Sequence, residues 1–249
     1  MSQPTEAKGL PVIDVSEYGG KKDGERQATN RRLFMQLLVW DGGEGSRAYG
    51  DEILADLRER ALDAVLYADT MNPFGYGLLT WSEDPAHFAT KIRDAFNANA
   101  RLREAELRHD YAMIGRSYST GHEPDLLDAL LYRFVRNVTN AAFPWHVWYP
   151  LRRTGAFAKL EGIDQSHILR EHAALGMAYG QAELAHDVRL ACHGIDAGDN
   201  EFVIGLVGKD LHPLSHLVQA MRKTRQTSEF IAKMGPFFVG HVIGRSAAA

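Results

Sequence analysis

The order strand, helix, strand, strand, helix, strand is written twice in this chain, and it constrains the fold more than any single motif. In the first copy Leu33 to Trp40 reads as a strand, broken by Asp41-Gly-Gly-Glu-Gly. Ile53, Leu54, Leu57 and Leu62 recur at helical spacing. Ala64 to Ala68 and Tyr76 to Trp81 read as strands on either side of the turn Asn72-Pro-Phe-Gly. A helix entered through Ser82-Glu-Asp-Pro and a strand at Tyr111 to Tyr118 complete the unit. The second copy runs through strand Trp145 to Leu151, helix Gln165 to Ala182, strands Val188 to His193 and Glu201 to Val207, helix Leu214 to Thr224 and strand Pro236 to Ile243.

This pattern predicts an α+β chain of two tandem ferredoxin-like (βαββαβ) units. Each antiparallel sheet has helices on one face and a free face on the other, so the two sheets are expected to pack face to face, as in a dimeric α+β barrel. The expected divisions are a surface tail or arm at 1–30, a first unit at 31–120, a linking helix at 121–143 and a second unit at 144–245.

Composition narrows the function. The net charge is -4, with no basic stripe, which argues against nucleic acid. The lone Cys192 excludes an internal disulfide and reads as a small buried hydrophobe. The polar start Met1 to Lys8 has no secretory pattern, and no run of ~18 apolar residues is present, so a cytoplasmic protein without a membrane span is expected.

The eleven histidines form no His-Glu-x-x-His, and Cys-x-x-Cys is absent. His172 lies beside an apolar stripe of Leu169, Leu175 and Met177. An imidazole there is, taken alone, more often a packed edge histidine than a ligand. Arg189 opens an apolar strand and needs an anionic partner, since a buried unpaired charge is costly. Tyr149-Pro-Leu-Arg152-Arg153 ends a strand with a phenol and two guanidinium groups, which suit carboxylates.

Five segments in order carry a resemblance: Trp148-Tyr-Pro-Leu-Arg-Arg, Leu169-Arg-Glu-His-Ala-Ala-Leu-Gly, Gly198-Asp-Asn-Glu-Phe-Val, Leu217-Val-x-x-Met-Arg-x-Thr and Pro236-Phe-Phe-Val-Gly. Over residues 145–243 the chain resembles the chlorite dismutase family, which includes coproheme decarboxylases. The resemblance implies a haem protein, binding haem b or iron coproporphyrin III, with His172 as the iron ligand. It puts Arg189 at the distal position, seventeen residues on, with Asp187 the alternative under a different anchoring. It gives Tyr149 the redox role of the decarboxylases, and Arg152 and Arg153 the porphyrin carboxylates. Gln226 stands near the place of a carboxylate that usually backs the histidine, and Phe157-Ala158 replaces a Trp-containing pair.

The implied activity is peroxide-dependent coproheme decarboxylation in haem synthesis. The alternatives are chlorite dismutation to chloride and dioxygen, a haem peroxidase, a haem carrier or sensor without turnover, and a ferredoxin-like protein without haem. The implied partners are the porphyrin, hydrogen peroxide or chlorite, and further copies of the chain in a homo-oligomer, a pentamer by resemblance.

Overall fold

The computed structural model describes residues 10–246. Residues 1–9 of the expected tail lie outside the described residues. The rest of that stretch holds a hairpin the sequence pattern did not suggest, β1 (Glu17–Lys22) and β2 (Glu25–Thr29). Its turn residues Asp23 and Gly24 both have positive φ (53° and 87°), the backbone that matches the twist of a two-residue hairpin. The hairpin is tied to the segment after the first unit. Gly20 N donates to Glu123 O at 2.9 Å, and Arg116 pairs with Glu17 at 3.1 Å.

The first unit contains β3 (Phe34–Asp41), α1 (Arg47–Glu59), β4 (Ala64–Asp69) and β5 (Gly75–Ser82). A π-helical turn, Phe88–Ile92, runs into α2 (Arg93–Ala98), followed by α3 (Ala100–Arg103), β6 (Glu106–Leu107) and β7 (Met113–Arg116). Helix α1 starts where the Ser46 hydroxyl accepts from Tyr49 N, and it buries Ile53, Leu54 and Leu57. A second π-helical turn, Asp128–Tyr132, leads into the linking helix α4 (Arg133–Thr139).

The second unit contains β8 (Trp145–Arg153), α5 (Gly155–Ala158), α6 (Gly162–Gln181), β9 (His186–Ala191) and β10 (Phe202–Gly208). It continues with α7 (Leu211–Met221), α8 (Arg225–Phe230), β11 (Ile231–Met234) and β12 (Phe238–Arg245). Helix α7 begins earlier than the sequence pattern suggests, because Pro213 sits in its first turn, where a missing N–H costs nothing.

The strands lie in the order β7-β3-β5-β4 in one unit and β9-β10-β8-β12 in the other, which is the same ferredoxin-like order twice. The two sheets also join at their edges. β4 pairs with β12 over Asp69↔Gly240 to Val65↔Arg245, and β7 meets β9 at Arg116↔Ala191. Edge strands left open would expose unpaired backbone groups, and this closure removes them. The faces expected to meet thus line one closed barrel.

Aromatic rings fill much of the interior, including Trp148, Tyr67 and Phe238. A Cβ on Gly205 would stand 2.6 Å from the Trp148 indole, and one on Gly77 would stand 2.5 Å from the Phe238 ring. Only glycine leaves room for those rings. Cys192 is buried as expected. Its Sγ donates to Asn200 O at 3.1 Å, and burial pushes its pKa up to about 12.

His146 is wholly buried at the seam between the units. Its Nε2 lies 3.2 Å from Phe143 O and so carries the proton, leaving Nδ1 to accept the Tyr67 hydroxyl at 2.8 Å. Burial, helped by the Arg245 charge, pushes its pKa down to about 3. The unfolded chain takes up this proton below about pH 6.5, while the folded chain refuses it until about pH 3. The unfolded state therefore binds more protons in that window, and stability falls as pH drops through it, by about 1.4 kcal/mol per pH unit for this group alone. Urea unfolding from pH 7 to 4 should show a shallower decline in a Tyr67→Phe/His146→Phe double variant. An unchanged slope would remove His146 as the cause.

Candidate functional site

The outer face of the second unit carries a row set by strand register. Tyr149 on β8 pairs with Ile204 on β10, which pairs with Arg189 on β9. Register partners in an antiparallel sheet project to the same side. Here that side also bears Val147, Leu151 and Leu206, and it is covered by Leu175 and Tyr179 of α6 and by Leu214 and Leu217 of α7. Tyr149 is 6% exposed and stacks on Phe237, with centroids 4.5 Å apart. Burial holds its phenol protonated, Asp187 adds to that and Arg222 opposes it.

Arg189 and Asp187 share the face, one row apart. Asp187 faces Leu206, so Arg189 is the one aligned with Tyr149. Arg189 Nε is 2.7 Å from Asp187 Oδ2, but its N–H is not aimed at that oxygen and has no hydrogen-bond partner among the described residues. Burial works against the Arg189 charge, yet Asp187, Tyr118 and Glu123 together outweigh it and the pKa is raised.

In the next row Phe202 pairs with Leu151 and Ala191. The Arg153 guanidinium lies over the Phe202 ring at 4.8 Å and over Phe157 at 4.5 Å, while its Nε donates to Glu201 at 2.9 Å. Tyr118, just past β7, packs against Phe202 at 5.6 Å, and burial raises its pKa. Arg133 opens the linking helix with a buried Nε that has no hydrogen-bond partner among the described residues. Burial lowers its pKa, and the Arg189 charge adds to that against Asp187. Sequence reasoning missed Tyr118 and Arg133. A signal for Arg133 was present: it stands alone as a charge in Leu130-Leu-Tyr-Arg-Phe-Val. Arg152 does not join the group. It alternates to the opposite face of β8, and its Nη1 donates to the Asp199 carboxylate at 2.8 Å.

Helix α6 supplies the other wall. His172 is half-buried, and its Nδ1 lies 3.4 Å from the Thr224 hydroxyl. That hydroxyl donates its own hydrogen to Met221 O at 2.8 Å, so it can only accept from the imidazole. The proton therefore sits on Nδ1, and Nε2 keeps its lone pair. Burial lowers the His172 pKa, and Arg189 lowers it further, while Asp187 and Glu171 oppose. The helix-borne imidazole and the sheet-borne guanidinium thus sense each other. The sequence suggests Gln226 behind this histidine, but the structure gives that hydrogen bond to Thr224. Among the described residues Gln226 Oε1, one residue into α8, is buried without a partner.

Among the described residues no group of three His, Cys, Asp or Glu side chains could hold a bare metal ion. A metal at His172 Nε2 would need most of its ligands from another group, as a macrocycle provides. The opposite wall offers a phenol, apolar contacts and guanidinium N–H groups without partners, which suits a flat ring bearing carboxylates. Among the described residues no helix is long and apolar enough to cross a membrane.

Two ferredoxin-like units closed into one barrel, with an imidazole on a helix facing a phenol and a guanidinium on the sheet, define a tandem α+β barrel protein. Residues 86–243 match the family model described as chlorite dismutase. The chain belongs to the chlorite dismutase family. Among solved structures, TA0507, a provisional chlorite dismutase, is 16% identical, with 86% of this chain and 96% of that chain covered and a TM-score of 0.66. A protein from Thermus thermophilus, described as a novel heme-binding protein, is 15% identical over 85% and 91%, with a TM-score of 0.65. Chlorite dismutase from Candidatus Nitrospira defluvii, in complex with imidazole, is 12% identical over 86% and 92%, with a TM-score of 0.63. At such identities the likeness is one of fold. No match was found among curated proteins.

Proposed function

We propose that this chain is a haem-handling oxidoreductase whose reaction is the peroxide-dependent decarboxylation of coproheme. The observation that carries this reading is the row Tyr149–Ile204–Arg189 on the sheet, faced by His172 on α6. His172 would hold the iron through Nε2, with its Nδ1 proton fixed by Thr224. When bound, the iron porphyrin would supply the oxidising power that peroxide releases.

The chain supplies position and a hydrogen relay. Tyr149, protonated because it is buried, would give up its phenolic hydrogen and regain one from the carbon chain of a neighbouring propionate. That propionate then loses carbon dioxide and becomes a vinyl group. Each event consumes one peroxide and yields one carbon dioxide and two waters, so atoms and electrons balance. Arg133 and Arg189 have free Nε–H groups for carboxylates, and Arg153 would share its charge between Glu201 and a propionate. The reading carries with it a homopentameric ring and a cytoplasmic role in haem synthesis.

Titration with ferric coproheme, followed by peroxide and mass spectrometry, tests it. Stepwise loss of two carboxyl groups is expected. Tight binding without loss would leave a carrier or sensor, and absence of a Soret band would remove haem altogether.

Chlorite dismutation is the second reading, favoured by the unpartnered Arg189 Nε beside the same row. A guanidinium there could steer and retain a small oxyanion. If this is the activity, chlorite added to the haem-loaded protein releases dioxygen and Arg189→Ala abolishes the release. An oxygen electrode that registers nothing with the unaltered protein would end this reading.

A further inference from the structure

We infer that Thr224 is the positioning residue of the His172 imidazole, fixing its tautomer and keeping it a neutral ligand. The inference rests on the reading of His172 as the iron ligand.

The argument begins with one hydrogen atom. The Thr224 hydroxyl has a single hydrogen, and Met221 O, at 2.8 Å, takes it. Toward His172 the oxygen offers only a lone pair, at 3.4 Å from Nδ1. The imidazole must donate, which leaves Nε2 as the atom with a free electron pair. Thr224 is 5% exposed, so its side of this contact is shielded from solvent. The corner between α7 and α8 holds the residue there, since Thr224 N donates to Met221 O and Thr224 O accepts from Ser228 N.

The partner is neutral, and this matters for the metal. A carboxylate behind Nδ1 would draw the proton away and make the ligand more anionic, stabilising the oxidised iron. A hydroxyl at 3.4 Å draws it weakly. Glu171 is the adjacent carboxylate in sequence, but its Oε2 accepts from Arg225 N at 3.1 Å. The ligand should therefore be an ordinary neutral imidazole, with a comparatively soft bond to iron and a comparatively high ferric/ferrous potential.

The test uses two independent readouts on the full-length protein and its Thr224→Val, Thr224→Ser, Thr224→Asp and Glu171→Gln variants. Nitrogen-15 NMR of the protein without porphyrin reports the tautomer of His172. Resonance Raman and potentiometry of the ferrous and ferric coproheme complexes report the iron–histidine bond. Thr224→Val is expected to lose the Nδ1–H tautomer, to lower the iron–histidine stretch and to weaken porphyrin binding about 10-fold. Thr224→Ser should restore all three. Thr224→Asp should raise the stretch and move the potential negative, and Glu171→Gln should change neither. A Thr224→Val protein with unaltered tautomer and stretch would overturn the inference while leaving His172 as ligand. An iron–histidine band that survives His172→Ala would instead overturn the reading beneath it, and the NMR result would still stand on its own.

Discussion

His172→Ala should weaken ferric coproheme binding by about 100-fold or more, roughly 2.8 kcal/mol, and erase the spectrum of a histidine-bound iron. The expectation is large because the proposed site rests on the His172 Nε2 donor. No cluster of three metal-binding side chains exists among the described residues to take over. What affinity remains would come from apolar contact and the guanidinium groups. The fold should survive, because the residue is half-buried on α6 and alanine is the better helix former. Circular dichroism checks that point, and added imidazole should restore the spectrum by filling the vacated space. Unchanged affinity in a folded variant would mean that iron is not held there.

Tyr149→Phe should cut the rate of carboxyl loss by at least about 100-fold, near 3 kcal/mol of barrier, while porphyrin affinity moves only a few-fold. The substitution removes one oxygen and keeps the ring. The stack on Phe237 at 4.5 Å and the place in the sheet register both survive. A loss confined to turnover therefore belongs to the phenolic hydrogen and not to packing. Product analysis by mass spectrometry after peroxide addition decides it. If the phenylalanine protein releases both carboxyl groups at the normal rate, the hydrogen relay runs through another residue, and Tyr118 is the next phenol along the same face.

The fold was legible where side chains alternate or recur against a buried surface. Phe34–Asp41 and Phe202–Gly208 alternate buried with part-buried residues over much of their length, and the sequence pattern places both closely. The β1–β2 hairpin escaped because Glu25-Arg-Gln-Ala-Thr is polar on both faces and buries no apolar side chain. It is held instead by bonds to a distant segment, such as those from Gln27 to the Glu123 and Pro124 carbonyls. The long spacing from His172 to Arg189 also has a local cause. Helix α6 runs to Gln181, then Glu183 turns with positive φ (55°) and Leu184 N closes back on Tyr179 O before β9 begins.

The site was legible only in part, and the reason is geometric. His172, Tyr149 and Arg189 are brought together by the helix-on-sheet arrangement that the repeat implied. Arg152 and Arg153 look equivalent in sequence, and only strand alternation sends one away from the group. Thr224 in place of Gln226 depends on how two short helices meet, a detail no periodicity carries. Tyr118 and Arg133 come from the connection between units, where sequence reading saw a linker.

The aromatic interior has a consequence for how the protein is used. Rings of the chain itself occupy the barrel, with glycines cut to fit them, so a large part of the core lies on the opposite side of the sheet from α6. The working surface is a shelf mounted on a finished frame. On the proposed decarboxylase reading, a guest molecule would be seated there, altered and handed on without the frame being dismantled, as a catalyst requires when the pigment it holds is also its product.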